Sequence, residues 1–217
     1  VEGTKNEVAA GPAVTDWRNY GGVPEAQRFA QLTQINIENV GTLKEAWRAR
    51  TGVAYDFKQT PQMANGLLYI CTAGNTLIAY DSDTGEERWR YDTKTEVPGG
   101  ALDRASTFAR TCRGLGYYEA PPEYTGECAK RILAGTVDAR LIAIDALTGQ
   151  KCPSFGFDGQ VNLVSGLGKS PLGNFMVTST PLVAGNKVVV GGWVSDNQQI
   201  GNPSGVLRAY DAITGQF

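Results

Sequence analysis

Short runs in which apolar and polar residues alternate dominate the hydrophobic pattern of this chain. Alternation of this kind, bounded by turn residues, is typical of β-strands with one buried face. Three of the runs share the pattern L-x-A-x-D-x-x-T-G and begin at Leu77, Leu141 and Leu207. A further strand is predicted just upstream of each pattern, at Leu67–Thr72, Arg131–Thr136 and Lys187–Gly192.

The shared pattern is an internal repeat. Its aspartates, Asp81, Asp145 and Asp211, are separated by 64 and 66 residues. The Asp-x-x-Thr-Gly portion predicts a turn in which the carboxylate accepts backbone N–H bonds and glycine takes a positive φ. After the first turn, the Arg-Trp-Arg-Tyr segment at 88–91 is predicted to be the next strand of a hairpin. Antiparallel meanders repeated in this way predict an all-β chain with a β-propeller architecture.

The repeat period is longer than the roughly 40–50 residues of common propeller blades. The excess lies in two connections, residues 92–130 and 153–176, which we interpret as functional or interface loops. About three units are present, whereas a closed propeller has 4–8 blades. We therefore expect residues 16–217 to form a partial propeller, completed by further sequence or by another chain.

The N-terminal part of the chain does not follow the repeat. Residues 1–15 are small and polar and are expected to form a loose arm. The segment Asn36–Val40 predicts a short helical turn, and Leu43–Arg50 predicts a strand that carries Trp47.

Composition excludes several kinds of chemistry. The 217 residues contain no histidine, which rules out a Ser-His-Asp triad, a Cys-His dyad and a His-ligated metal within this chain. Glycine is frequent, at 27 residues, as expected for many turns. The net charge of −2 gives no basic excess for binding nucleic acid. No apolar run approaches the 18 residues of a membrane-spanning helix.

The four cysteines leave two interpretations open. None of them forms a C-x-x-C motif, so a zinc ribbon or a thioredoxin-type site is excluded. They are either buried free thiols or members of one or two disulfides in an oxidising compartment. Cys112 and Cys128 bracket a loop rich in glycine and proline, so this pair is the expected disulfide if one forms.

The first repeat extends to a longer motif, A-x-D-x-x-T-G-x-x-x-W, which ends at Trp89. This motif resembles the tryptophan-docking motif of the eight-bladed quinoprotein dehydrogenases, which use pyrroloquinoline quinone. The second repeat departs from it, with Pro153 at the position of the tryptophan. The opening segment Asp16–Gly22 also resembles the start of the family's propeller, so the likeness runs from about Asp16 to the end of the chain.

Further motifs are similar to those of the membrane-bound glucose and quinate/shikimate dehydrogenases. They are Leu68-Tyr-Ile-Cys-Thr72, Thr111-Cys-Arg-Gly114 and Ser204-Gly-Val-Leu-Arg208. The resemblance implies that Arg113 lies beside the bound quinone, whose carboxylates and carbonyls suit a guanidinium. The segment Thr178-Ser-Thr-Pro181 matches a family segment whose hydroxyls reach the cofactor edge, and Thr178 and Ser179 are the predicted cofactor residues. Asp196 falls where the family places a ligand of the divalent metal, calcium or magnesium.

Two positions depart from the family pattern. Lys58 stands where relatives have a cofactor-binding glutamate, and it could meet a cofactor carboxylate instead. Ala109, beside Arg110, stands where the glucose branch has a histidine near the substrate. These changes make the expected pocket more cationic, which would suit an anionic substrate such as quinate or shikimate better than neutral glucose.

The resemblance implies a periplasmic enzyme that oxidises an alcohol group of a sugar, polyol or cyclic polyol acid. Electrons would pass to ubiquinone, and attachment to the inner membrane would use a segment not in this chain. The family's proton-abstracting aspartate comes from later blades, so the catalytic base is not among these residues and the chain alone is expected to be inactive. The alternative is a non-catalytic propeller that binds proteins of the cell envelope.

Overall fold

A computed structural model describes residues 16–30, 32–54, 57–95, 110–171, 173–195 and 200–217. The predicted arm at 1–15 lies outside these residues, so its separation from the propeller stays a prediction. The described residues form one short 3₁₀ helix, Val40–Thr42, and thirteen strands. In chain order these are β1 (Gln62–Ala64), β2 (Leu67–Cys71), β3 (Leu77–Asp81), β4 (Glu87–Tyr91), β5 (Gly116–Glu119), β6 (Lys130–Gly135), β7 (Arg140–Asp145), β8 (Gln160–Asn162), β9 (Phe175–Met176), β10 (Leu182–Ala184), β11 (Lys187–Gly191), β12 (Trp193–Val194) and β13 (Leu207–Asp211).

The strands build three antiparallel sheets that follow one another along the chain. Blade 1 is β1-β2-β3-β4, blade 2 is β5-β6-β7-β8, and blade 3 is β10-β11-β13. A two-stranded ribbon, β9 with β12, flanks blade 3. The upstream and central strands predicted from the repeat are β2, β3, β6, β7, β11 and β13, and all are confirmed. The first strand of each blade and the outer strand β8 carry no repeat pattern, and the prediction missed them.

The core lies between successive blades. Between blades 1 and 2, Tyr69 and Leu77 pack in one cluster with Ile132 and Ile144. Between blades 2 and 3, a second cluster joins residues on both sides, among them Leu133, Leu141, Phe175, Val188 and Tyr210. The sheet of blade 2 is therefore buried on both faces, as expected for stacked blades.

The repeated Asp-x-x-Thr-Gly turns have the predicted geometry. Asp81 Oδ1 accepts hydrogen bonds from the Thr84 N–H at 2.9 Å and the Thr84 hydroxyl at 3.0 Å. The turn then passes through Gly85, whose φ is +72°. The other two turns repeat these contacts, Asp145 with Thr148 and Gly149, and Asp211 with Thr214 and Gly215. The repeated aspartates are thus structural, and the N–H and hydroxyl of Thr84 lower the pKa of Asp81.

Tryptophans connect each of the first two turns to the preceding part of the chain. Trp47 Nε1 donates to the carbonyl of Ser82 at 3.0 Å, and its ring lies against Gly85. Trp89, on β4 of blade 1, donates from Nε1 to Ala146 O in blade 2 at 2.9 Å. The ring of Trp89 covers Gly149 closely, because a Cβ at that glycine would lie 2.8 Å from the ring. Indole docking therefore ties blade 1 to blade 2.

We predict that Gly149→Ala destabilises the chain by about 2–4 kcal/mol, because the methyl group must displace the Trp89 ring and alanine disfavours positive φ. Gly66→Ala is the matched control. Gly66 has nearly the same φ, +71°, but a Cβ there meets nothing within 4 Å. The control should cost only about 1 kcal/mol, the conformational part. Urea unfolding of both variants measures the difference, and equal losses would show that the contact with Trp89 contributes nothing.

The third turn is held without a tryptophan. Pro153 occupies that position in the sequence, and the loop after it brings the Gly156 N–H to Thr214 O at 2.8 Å. The fully buried Arg131 supplies a second connection, since its Nη1 donates to Ala212 O at 3.1 Å and to Ile213 O at 2.8 Å. Ala212 follows Asp211 as Ala146 follows Asp145, so the guanidinium takes the place of the indole N–H.

The expected disulfide between Cys112 and Cys128 is wrong. The bonds are Cys71–Cys112 and Cys128–Cys152, and no cysteine is free. Strand β5 separates the expected pair: Cys112 precedes it, and Cys128 lies beyond its far end. The four residues of β5 alone span about 13 Å, more than the roughly 7 Å limit between the Cα atoms of a disulfide. Cys71–Cys112 instead links blade 1 to the segment that leads into blade 2.

Two predictions for the N-terminal part have different outcomes. The turn expected at Asn36–Val40 is confirmed, with Val40 N–H donating to Asn36 O at 2.9 Å. The strand expected at Leu43–Arg50 is wrong, because this segment has no sheet partner in the described part of the chain. Its Trp47 and Ala49 nevertheless pack on the cluster of Ile70, Ile78 and Tyr80 on the outer face of blade 1.

Candidate functional site

The segments that lead into the three blades lie side by side. The N–H of Thr60, just before β1, donates to the carbonyl of Arg113 at 3.1 Å. The N–H of Arg113, just before β5, donates in turn to the carbonyl of Thr178 at 3.1 Å. Corresponding positions of three successive blades are thus joined by backbone hydrogen bonds at one end of the sheets.

Two of the predicted cofactor residues make direct side-chain contact. Arg113 Nη1 donates to Thr178 Oγ1 at 2.7 Å, although 65 residues separate them. Thr178 is only 6% exposed, whereas the Arg113 side chain is exposed. No carboxylate pairs with Arg113 among the residues that the structure describes. Within the described ranges, the guanidinium is therefore held in place through a neutral hydroxyl, and no carboxylate compensates its charge.

A cavity of about 630 Å³ opens beside Arg113. Its polar lining includes Arg113, Ser179, Thr180 and Tyr20, and its apolar walls come from β5, β10 and the turn at 20–26. The volume is within the range typical of small-molecule sites, and a few polar groups among apolar walls are typical of them as well. The sequence-predicted Arg113 and Ser179 thus line one cavity, and the Thr178 hydroxyl holds the arginine side chain in place.

A second arginine of this cavity is already neutralised. Arg18 pairs with Asp16 at 2.7 Å and with Glu119 at 2.8 Å, and its Cζ lies 5.2 Å from the centroid of the Tyr117 ring. Burial raises the pKa of the Tyr117 hydroxyl, which keeps this phenol neutral. In the cavity lining, Arg113 is therefore the cation available for a ligand.

Thr180 belongs to the site as well, although only Thr178 and Ser179 of its segment were predicted by number to bind the cofactor. It lines the cavity, and its buried hydroxyl has no hydrogen-bond partner in the described part of the chain. Gly114 leaves the room for it, because a Cβ at Gly114 would overlap the Thr180 hydroxyl. A signal was present in the sequence: Thr180-Pro181 repeats Thr60-Pro61, and each pair stands just before the first strand of its blade.

The other predicted site residues are not brought together with this cluster. Lys58 is exposed and does not line the cavity within the described ranges. Asp196 and Ala109 lie outside the described residues, so the metal prediction and the predicted loss of an imidazole partner remain predictions. In the ranges that the structure describes, no group of three or more acidic or cysteine side chains is arranged to hold a metal ion.

Comparison with known proteins identifies the family. The model of the glucose/ethanol/alcohol dehydrogenase β-propeller domain, named for pyrroloquinoline quinone, matches residues 17–217. The chain belongs to this family. The match confirms the resemblance drawn from the tryptophan-docking motif, and with it the β-propeller fold.

Relatives of known activity are similar over nearly the whole chain. The quinate/shikimate dehydrogenase (quinone) of Acinetobacter baylyi is 38% identical, covering 93% of this chain and 27% of the relative. The quinoprotein glucose dehydrogenase of Escherichia coli K12 is also 38% identical, covering 100% of this chain and 28% of the relative. The chain therefore spans little more than a quarter of these proteins.

Solved structures support the same fold. The quinohemoprotein alcohol dehydrogenase of Pseudomonas putida HK5 has a TM-score of 0.74 and 25% identity, covering 94% of this chain and 26% of the known structure. The quinohemoprotein alcohol dehydrogenase of Comamonas testosteroni has a TM-score of 0.73 at 25% identity, covering 93% and 26%. Among the described residues, no helix has the length and apolar character needed to cross a membrane.

The residues around the cavity fit pyrroloquinoline quinone. The cofactor carries carboxylates and vicinal carbonyls, and Arg113 offers an uncompensated fork of N–H donors. Thr180 contributes a buried hydroxyl that has no partner among the described residues, and buried polar groups in folded proteins normally have one. A ligand with several oxygen acceptors is therefore complementary to this cluster.

Proposed function

We propose that this chain is part of the propeller of a dehydrogenase that depends on pyrroloquinoline quinone, with the remaining blades supplied by further sequence. The observation that carries the proposal is the contact of Arg113 with Thr178 across two blades, which fixes a guanidinium at a cavity, with no carboxylate partner in the described part of the chain. The dehydrogenases among the relatives favour this function over a non-catalytic scaffold, which would give the fixed arginine no role.

The proposed substrates are alcohol groups of sugars, polyols or cyclic acids such as quinate and shikimate. The cofactor supplies the two-electron acceptor when it is bound. In this chain, Arg113 would hold it through its forked N–H donors, and Ser179 and Thr180 would offer hydroxyls from the cavity lining. Lys58 is proposed to meet a cofactor carboxylate, and Asp196 to provide one oxygen ligand of a calcium or magnesium ion. The base that removes the substrate proton is proposed to lie in blades outside this chain.

We further propose that the complete protein works in the periplasm, attached to the inner membrane, and passes electrons to ubiquinone. The support is the membrane-bound glucose and quinate branch that the sequence motifs resemble, together with relatives named as quinone-dependent. Two disulfides in this chain agree with an oxidising compartment. Residues 1–217 alone are expected to show no turnover.

Arg113→Ala should weaken binding of pyrroloquinoline quinone to the complete apoprotein about ten- to hundredfold. The reason is the loss of a charge-assisted hydrogen bond of about 1.5–3 kcal/mol. Arg113→Lys should restore only part of the affinity, because an ammonium group cannot make the forked contact. Calorimetric titration with the cofactor at fixed calcium measures both.

The control for Arg113 is Arg48→Ala. Arg48 is an exposed arginine that pairs with Glu45 at 2.6 Å and does not line the cavity. Its removal should leave the cofactor affinity unchanged. If Arg113→Ala binds the cofactor as tightly as the parent protein and only the unfolding temperature falls, Arg113 is structural and the proposed site is wrong.

A further inference from the structure

The turn before blade 1 places an aromatic side chain in the cavity that Arg113 lines. Trp17 pairs with Met63 of β1, its N–H donating to Met63 O at 2.7 Å, which anchors the segment along the free edge of blade 1. The chain then turns back, since Gly22 N–H donates to Asn19 O at 2.9 Å. Tyr20 lies in this turn, is 38% exposed and lines the cavity.

A strained backbone holds an arginine over the Tyr20 ring. Arg28 N–H donates to Gly21 O at 2.9 Å, and the Arg28 Cζ lies 4.9 Å from the centroid of the Tyr20 ring. Arg28 has a φ of +54° and Ala26, which lines the cavity, a φ of +55°. Positive φ is unfavourable for both residue types, and such strain often accompanies ligand sites. No carboxylate pairs with Arg28 within the described residues.

The surroundings of the Tyr20 hydroxyl make it a good hydrogen-bond donor. Hydrogen bonding from the Thr60 and Arg28 side chains lowers the pKa of Tyr20, and the charges of Arg28 and Arg113 act in the same direction. A lowered pKa makes the phenolic O–H a stronger hydrogen-bond donor towards another acceptor. The acceptor that matches a polarised phenol beside an unpaired Arg113 is an anionic or quinone oxygen.

We propose that Tyr20 is a further cofactor-contacting residue, which presents its phenolic O–H to an oxygen of the quinone cofactor, and that Arg28 is a positioning residue that acts through Tyr20. The proposal rests on the proposed function, because it takes the cavity beside Arg113 to be the cofactor site. The N-terminal turn thereby forms one wall of a site whose other described walls belong to blades 2 and 3.

The experiment is a double-mutant cycle in the complete apoprotein, titrated calorimetrically with pyrroloquinoline quinone at fixed calcium. Tyr20→Phe should raise the Kd about tenfold, since it removes only the hydroxyl. Arg28→Ala should raise it by a similar factor. In the Tyr20→Phe background, Arg28→Ala should have no further effect, because the arginine acts through the phenol. Unfolding of the Tyr20→Phe apoprotein should match that of the parent protein.

Tyr124→Phe is the control for the chemical change. Tyr124 also has a phenol, which donates to Glu127 O at 3.0 Å, but it does not line the cavity. Unchanged cofactor affinity of Tyr20→Phe would overturn the proposal, and so would a full effect of Arg28→Ala in the Tyr20→Phe background. Arg113→Ala distinguishes failure of the proposed cofactor site from failure of the Tyr20 assignment. If Arg113→Ala weakens binding while Tyr20→Phe does not, only the assignment of Tyr20 fails. If Arg113→Ala has no effect either, the cavity is not the cofactor site.

Discussion

Replacing Cys71 and Cys112 together by serine is expected to weaken cofactor binding ten- to hundredfold in the folded protein, in addition to destabilising it. The disulfide joins the end of β2 to the residue immediately before Arg113. Without it, Arg113 keeps its bonds to Thr60 and Thr178, and Leu115 its bonds to the Gln62 side chain, but the covalent anchor next to Arg113 is lost. An arginine that is less preorganised loses affinity. We expect an effect comparable to that of removing the Arg113 side chain.

The second disulfide provides a matched control. Cys128–Cys152 closes a loop with a sequence separation of 24, against 41 for Cys71–Cys112. In the chain-entropy model, the two losses cost about 3.5 and about 4 kcal/mol of stability respectively. Replacing Cys128 and Cys152 by serine should therefore destabilise the protein to a similar extent without changing the cofactor affinity.

Cofactor titration well below the unfolding midpoint of each double variant makes the comparison. Urea unfolding of the apoproteins verifies that the stability losses are similar. The interpretation fails if both pairs of substitutions change the cofactor affinity equally, because the effect would then reflect general loosening of the fold. It also fails if the Cys71 and Cys112 variant binds as tightly as the parent protein.

Arg131→Ala is expected to destabilise the chain by about 3–5 kcal/mol. The side chain is 0% exposed, and its N–H groups donate only to backbone carbonyls in the described part of the chain. Two acceptors belong to the segment before β6, namely Glu127 and Cys128, and two to the third repeated turn, Ala212 and Ile213. Truncation takes the donor from the carbonyls of Cys128, Ala212 and Ile213, whereas Glu127 O keeps the Tyr124 hydroxyl, and it removes a link between blades 2 and 3.

Arg131→Lys should recover only a small part of this loss, because a single ammonium group cannot reach carbonyls on both sides of the interface. Arg208→Ala is the control. Arg208 also donates to two carbonyls, Leu163 O at 3.1 Å and Ser165 O at 2.7 Å, but it is only half-buried. Its loss should cost about 1 kcal/mol. Urea unfolding measures the free energy of unfolding of both alanine variants. Equal decreases would show that the buried contacts of Arg131 between blades 2 and 3 contribute no more than those of Arg208.

The sequence predicted the parts of the fold that depend on local chemistry. The turns follow from Asp, Thr and Gly at fixed spacing, because one carboxylate oxygen satisfies three donors within a few residues. Strands β2, β3, β6, β7, β11 and β13 follow from alternation next to those turns. Strand β5 was missed because Gly116-Tyr-Tyr-Glu119 carries no alternating pattern, and its pairing with β6 depends on contacts between distant residues.

Errors arose where the outcome depends on a partner that local sequence does not contain. Cys112 was paired with its neighbour in sequence, whereas its partner is Cys71 in the preceding blade. Leu43–Arg50 has the composition of a strand but no neighbour to pair with in the described residues.

In the candidate site, too, residues recognised from local motifs were predicted and contacts between distant residues were not. The resemblance indicated Arg113, Thr178 and Ser179, but the sequence could not show that Arg113 and Thr178 touch. Thr180 and Tyr20 line the same cavity because the loops before the blades lie side by side, an arrangement that depends on contacts between distant residues.

Each of the links between blades runs from an earlier position in the chain to the repeated turn of the next blade. The described blades therefore interact as nearest neighbours along the chain. Trp47 covers the turn of blade 1, Trp89 covers that of blade 2, and Arg131 covers that of blade 3, each from an earlier position in the chain. Stability is then a sum of blade terms and nearest-neighbour terms, as in solenoid proteins. The cavity beside Arg113 has walls from both blade 2 and blade 3, so separating these two blades would break the Arg131 link and open the cavity together.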